Sequence, residues 1–167
     1  MRYHKDFGIG LFSSDERLAE LEQLGDPLLT LSAHIDFEFF RATLEEGLYG
    51  SYDGSKGGRP PFDPVVMFKV LVLQRLYNLS DDAIEFQIKD RLSFMRFLGM
   101  DFASRVPDAK TVWIFREHLQ SKDLVKTLFE QLNAELEKSS SPPVQTVDGG
   151  LPAAPFQRTL RRCIRVS

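Results

Sequence analysis

Between residues 110 and 116 the chain places Lys110, Thr111, Trp113 and Arg116 on what reads as one helix. Lysine and arginine supply cationic donors for phosphate oxygens, arginine and threonine can donate to base edges, and an indole can stack or pack on sugar. That set suits double-stranded DNA. It equally suits an ordinary helical bundle in which Trp113 belongs to the core and Arg116 to a surface ion pair. A second cationic feature lies upstream, in Lys56-Gly57-Gly58-Arg59-Pro60-Pro61. Lys56 and Arg59 ride on a glycine stem that the prolines continue as an extended course, as in arms that lay arginine along a groove. A solvated loop with incidental charge has the same composition. Asp148, at the end of the strand-like run Val144-Gln145-Thr146-Val147-Asp148, offers one carboxylate. Phosphoryl transfer between two cations needs at least two. The run from Arg158 to Ser167 holds arginines at 158, 161, 162 and 165, a charge density that can hold nucleic acid without sequence preference or simply form a disordered tail. No Gly-rich phosphate loop, Gly-x-Ser-x-Gly or His-Glu-x-x-His occurs.

The elements that must position these groups read as helices. Apolar residues recur with a 3.6-residue period from residue 14 onward, and Val/Ile/Thr-rich alternation is absent before residue 143. Ser14 would cap a first helix from Asp15 to Leu24, stopped by Gly25, and Asp26-Pro27 would open a second from Leu28 to His34. Asp36 would cap a third running through Leu48, with Phe37, Phe40, Leu44 and Leu48 as its stripe. Residues 49 to 62, punctuated by Gly and Pro, are loop. Asp63-Pro64 then opens a helix from Val65 to Tyr77 that is apolar almost all round and belongs at the centre of the domain. Ser80 starts the next, with a break near Asp90 to Ser93 and a stop at Gly99. Pro107-Asp108 begins Ala109 to Gln120, and Ser121 would cap a last helix from Lys122 to Lys138. The three helices that end with Ala109–Gln120 match a helix-turn-helix outline, whose last member is the DNA reader. The expectation is an all-α domain over residues 1–138 with a helix-turn-helix-like unit. A Ser/Pro linker over 139–143 follows, then a short strand and irregular basic tail over 144–167.

Composition narrows the function classes. The 167 residues, 43% hydrophobic and 27% charged, suffice for one core rather than two full domains and do not have the bias of a disordered chain. No apolar run approaches the ~20 residues of a bilayer span, and the first ten residues lack the apolar segment of a secretory signal, so a cytoplasmic address and no membrane partner are expected. The lone Cys163 makes no internal disulfide, and His4, His34 and His118 lack ligand spacing, so no metal site is expected. The net charge of −3 hides a gradient: residues 1–48 sum to −6, residues 49–118 to +1 and residues 119–167 to +2. An anionic partner would therefore meet a local patch on the later segments.

Several linked stretches carry a likeness to a known family. They are Gly58-Arg59-Pro60-Pro61-Phe62-Asp63-Pro64-Val65-Val66-Met67-Phe68-Lys69, Leu79-Ser80-Asp81, Arg91-Leu92-Ser93-Phe94-Met95-Arg96-Phe97-Leu98-Gly99, and Val106-Pro107-Asp108-Ala109-Lys110-Thr111-Val112-Trp113-Ile114-Phe115-Arg116. In this order they resemble the N-terminal domain of bacterial insertion-sequence transposases of the insertion sequence five group, the InsH type, from about residue 10 to residue 158. The resemblance implies a helical DNA-binding domain followed by a ribonuclease-H-like catalytic domain. There an Asp, Asp, Glu triad holds divalent metal, magnesium in the full-length family, and the enzyme cuts and rejoins the ends of its own element. Thr146-Val147-Asp148-Gly149-Gly150-Leu151 looks like the first catalytic strand, which puts Asp148 at the first triad position. After Arg158 the pattern departs, and neither the second Asp nor the Glu has a counterpart. The expectation is a truncated chain, ended by frameshift or premature termination, that needs no cofactor of its own and neither nicks nor joins DNA. Its function would be recognition of the terminal inverted repeats. A rival reading makes the helical domain a protein-interaction module that self-associates or pairs with full-length transposase and acts as an inhibitory fragment; the acidic first third favours that reading and the basic loop favours the first.

Overall fold

The computed structural model describes residues 13–49 and 60–139. Among them the chain is all-helical: α1 (Ser13–Gln23), α2 (Pro27–His34), a 3-10 helix (Phe37–Phe40), α3 (Arg41–Tyr49), α4 (Pro64–Tyr77), α5 (Asp81–Asp90), α6 (Leu92–Leu98), α7 (Ala109–Ser121) and α8 (Leu124–Ser139). None of these helices is long and apolar enough to cross a membrane.

Local chemistry sets most boundaries. The Asp26 carboxylate accepts from Leu28 N at 2.9 Å, Asp63 from Val65 N at 2.8 Å and Asp108 from Thr111 N at 2.7 Å, each satisfying a donor the first helical turn leaves open. Ser80 Oγ accepts from Ala83 N at 3.2 Å. Gly25 (φ +81°) and Gly99 (φ +71°) take the left-handed conformation that ends α1 and α6. Arg91, extended at φ −107° and ψ 117°, is the single residue between α5 and α6.

Three expected elements differ. α1 starts at Ser13, so Ser14 lies inside it rather than capping it. The helix expected from Asp36 to Leu48 opens as a 3-10 turn and becomes α-helical only at Arg41. In a 3-10 helix residues three apart eclipse, so Phe37 and Phe40 enter the core from one side, with ring centroids 6.2 Å apart. Ser121 does not cap α8; it is the last residue of α7, where its hydroxyl donates to the His118 carbonyl at 2.9 Å. The turn through Lys122 and Asp123 (φ +54°) intervenes, and α8 starts at Leu124 and continues to Ser139.

α4 lies at the centre. Val65, Met67, Phe68, Val70, Leu71, Val72, Leu73 and Leu76 are all buried, and the helix touches α3, the 3-10 helix, α5, α6 and α7. Phe68 meets Phe40 at 5.1 Å and Phe129 of α8 at 5.8 Å, so one continuous core joins front and back of the chain. Lys69, the break in this apolar run, lies half-buried across the rings of Phe37 and Phe97 and donates to the Phe97 carbonyl at 3.2 Å. Burial pushes its ammonium group down, against the opposing pull of Glu38, Asp63 and Asp36.

Candidate nucleic-acid interface

α7 presents Val112, Phe115 and Leu119 to the core and keeps Lys110, Trp113, Ile114, Glu117 and His118 exposed. The three-residue and four-residue spacing of the buried set is what fixes that division. α5 holds the helix in place from one side. Glu85 accepts from Ala109 N at 3.1 Å, adding a second carboxylate to the Asp108 cap, and Arg116 Nη2 donates to both oxygens of Asp81. The start of α5 therefore meets the later half of α7, and the two helices run in opposite senses. In place of the turn of about three or four residues that defines a helix-turn-helix, the longer loop Gly99–Asp108 joins α6 to α7.

Electrostatics keeps these carboxylates ionised. The hydrogen bond from the Thr111 side chain foremost, then its backbone N–H, holds Asp108 below the ordinary range. Lys89 does the same for Glu85, with Ala109 N–H assisting. For Asp81 burial pushes the carboxyl up, but hydrogen bonds from Arg116 and then Gln74 outweigh it and the net displacement is downward. A phosphate aimed at the α7 N-terminus would meet two negative groups already satisfying its dipole. The flank of the helix is therefore more open to an anionic group than its tip.

On the flank away from α5, Thr111, Ile114, Phe115 and His118 line an open cleft of about 360 Å³, whose opposite wall is Pro60, Pro61 and Phe62. The Arg105 guanidinium lies 4.2 Å from the Phe62 ring centroid, tying that extended segment to the loop before α7. The root of the loop singled out from the sequence and the expected reading helix are thus neighbours in space.

The sequence-derived residues sort as follows. Lys110 is exposed and Thr111 is half-buried beside the cleft; Trp113 is 50% exposed. Arg116 is half-buried and engaged with Asp81, the intramolecular pair that the bundle reading assigned to it. Lys56, Arg59 and Asp148 lie outside the described residues. Sequence reasoning missed Arg105, Phe62 and His118. Arg105 lies outside any periodic segment, and its two-residue distance from Pro107 is the only local signal; Phe62 follows the Pro-Pro pair that could have marked it as an anchor. Among the described residues no three or more His, Cys, Asp or Glu gather as metal ligands would.

Together the central α4, the cap-fixed α7 and the cleft beside the Pro60–Phe62 segment define an all-helical domain in which the exposed flank of α7 carries Lys110. The chain belongs to the family described as Transposase domain (DUF772), whose model matches residues 16–118. No solved structure matches the chain.

Proposed function

We propose that this helical domain is the DNA-binding region of a transposase of the insertion sequence five group, with an N-terminal domain of the InsH type, and that it recognises the terminal inverted repeats of its element. The observation that carries the reading is the cleft that brings Pro60, Pro61 and Phe62 against Thr111, Ile114 and His118. Arg59 immediately precedes Pro60 in the chain, so the sequence tethers its charge to the cleft wall that faces α7. In this reading Lys56, Arg59 and Arg105 contact backbone, while Lys110 and Thr111 approach the groove. Arg116 acts as a positioning residue, because its charge is spent on Asp81 and its effect on DNA passes through the setting of α7. The activity assigned to the helical domain is binding; strand cleavage is not part of it.

Anisotropy with a duplex cut from the ends of the encoding element, beside a scrambled duplex, tests this. Affinity should fall as salt rises, and Lys110→Ala should weaken both duplexes and reduce the log–log salt slope by about 1. Equal affinity for both duplexes in the unsubstituted protein would remove terminal-repeat recognition, and salt-independent binding would remove the interface itself.

A further inference from the structure

An open cleft of about 500 Å³ lies beside the end of α2 and the start of the 3-10 helix, walled by Ser32, Ala33 and His34, by Asp36 and Glu38, and by Lys69 of the central α4. It shares no residue with the cleft beside α7. The Lys69 nitrogen stands 5.2 Å from the Phe37 ring centroid and 5.4 Å from that of Phe97, and donates to the Phe97 carbonyl at 3.2 Å. It makes no ion pair with a described residue. Arg41 holds the carboxylates of Glu38 and Asp63, and Asp36 accepts from Glu38 N at 3.0 Å, so all three act on Lys69 only at longer range. His34 Nδ1 donates to the Thr30 carbonyl at 2.7 Å, because a carbonyl can only accept, and Nε2 is the ring nitrogen left to take up or release a proton.

A half-buried ammonium without a bonded counter-ion gives up its proton more readily than an exposed one, and the uncharged amine is the nucleophile. What this amine can attack is limited by its surroundings. The C-terminal end of α2 and the carboxylates of Asp36 and Glu38 disfavour an anion. The product is limited as well. Two aromatic rings and a backbone carbonyl favour a nitrogen that remains cationic and still has an N–H to donate. Acylation would remove the charge, whereas an iminium keeps both the charge and the donor. An uncharged aldehyde meets both conditions.

We propose that Lys69 is a carbonyl-capture site, where the side-chain amine forms a Schiff base with a small uncharged aldehyde entering the cleft between α2 and the 3-10 helix. The amine lone pair forms a C–N bond to the carbonyl carbon and one amine proton passes to the oxygen, giving a carbinolamine. A further proton, from His34 or water, lets the C–O bond break and water leave. The iminium nitrogen then carries the positive charge and keeps one N–H for the Phe97 carbonyl. No oxidant or reductant takes part. The site stands whether or not the α7 flank binds DNA.

Cyanoborohydride delivers hydride to the iminium carbon and fixes the adduct as a secondary amine. Peptide mass spectrometry of the 167-residue protein treated with propanal and this reagent therefore reads the trapping rate at each lysine. The exposed Lys110 and Lys122 serve as internal references. At neutral pH Lys69 should be trapped several-fold faster than either, and the ratio should shrink as alkaline pH uncharges the references too. Glyoxylate, an anionic aldehyde, should show no preference for Lys69. Ala33→Trp, at an exposed position on the cleft wall, should slow trapping at Lys69 several-fold and leave the references unchanged. Circular dichroism melts show whether that variant is folded, and Ser32→Trp replaces it if it is not. Propanal trapping at Lys69 no faster than at the references overturns the proposal. So does an equal preference for Lys69 with glyoxylate, or trapping that the folded tryptophan variant leaves unaltered.

Discussion

At the scale of single residues, the energetically exposed point is Asp26. Its side chain is 3% exposed, yet the carboxylate caps α2 through Leu28 N and accepts from Arg96 Nη2 at 2.7 Å, while Arg96 Nη1 reaches the Leu18 carbonyl of α1 at 3.2 Å. Removing one partner of such a pair leaves an uncompensated buried charge. Arg96→Met is expected to lower the unfolding free energy in urea by about 3 kcal/mol, whereas the exposed Lys89 partner of Glu85 should tolerate Lys89→Ala at a cost below about 1 kcal/mol. Acid sensitivity has the same origin. For Asp63 and for Asp81 burial pushes the carboxyl up, but donors led by Arg41 for the first and by Arg116 for the second outweigh it, and the net displacement is downward. A carboxyl held below its unfolded value binds fewer protons in the folded chain. Its stabilisation is therefore complete above the unfolded value of about 3.9 and lost as pH falls through the folded one. Urea midpoints should drop steeply on acidification in that window, and Asp81→Asn should flatten the drop. The caps at Asp26, Asp63, Ser80 and Asp108 were readable from residue type and the following proline or apolar run. The Arg96–Asp26 pair was not, because nothing in a linear pattern joins partners 70 positions apart.

At the scale of elements, the approach of α3 to α8 depends on Gly47. A Cβ at that position would collide with the Leu124 side chain, so the two helices come together over a glycine inside α3. Gly47→Val is expected to destabilise by about 1 to 3 kcal/mol through overpacking, and Leu124→Ala in the same chain should recover part of the loss. A chemical-denaturation double-mutant cycle checks this: strictly additive effects would show that the two positions do not touch in the folded protein. Helix existence and order were legible from periodicity, and so were the stops at Gly25 and Gly99. The 3-10 opening before α3 was not, since the stripe Phe37, Phe40, Leu44 looks the same to an α-helical template. Nor was the role of α5 as the holder of α7, because Asp81 and Asp82 read only as first-turn acids favoured by the dipole of their own helix, and Glu85 carries no signal of its own.

At the scale of the whole molecule, Phe68 joins the 3-10 helix, α4 and α8 at one fully buried point, with Phe37, Phe40 and Phe129 around it. Phe68→Ala should cost about 3 to 5 kcal/mol, read as a lower midpoint in a single urea transition. A second, separate transition would mean that the described helices do not share one core. The central place of α4 was legible from its all-round apolarity, and the single core from chain length. The candidate interface was legible only in halves: the basic loop and the helix from Ala109 each had a signature, but their meeting across Phe62 and Arg105 is a tertiary fact. The division of labour within α7 has an evolutionary corollary. Val112, Phe115 and Leu119 set its depth and the acids of α5 set its angle, so Lys110, Ile114 and Glu117 contribute little to holding the fold together. That ridge can be rewritten residue by residue while the scaffold stays intact, so whatever α7 contacts can change without passing through an unfolded intermediate genotype.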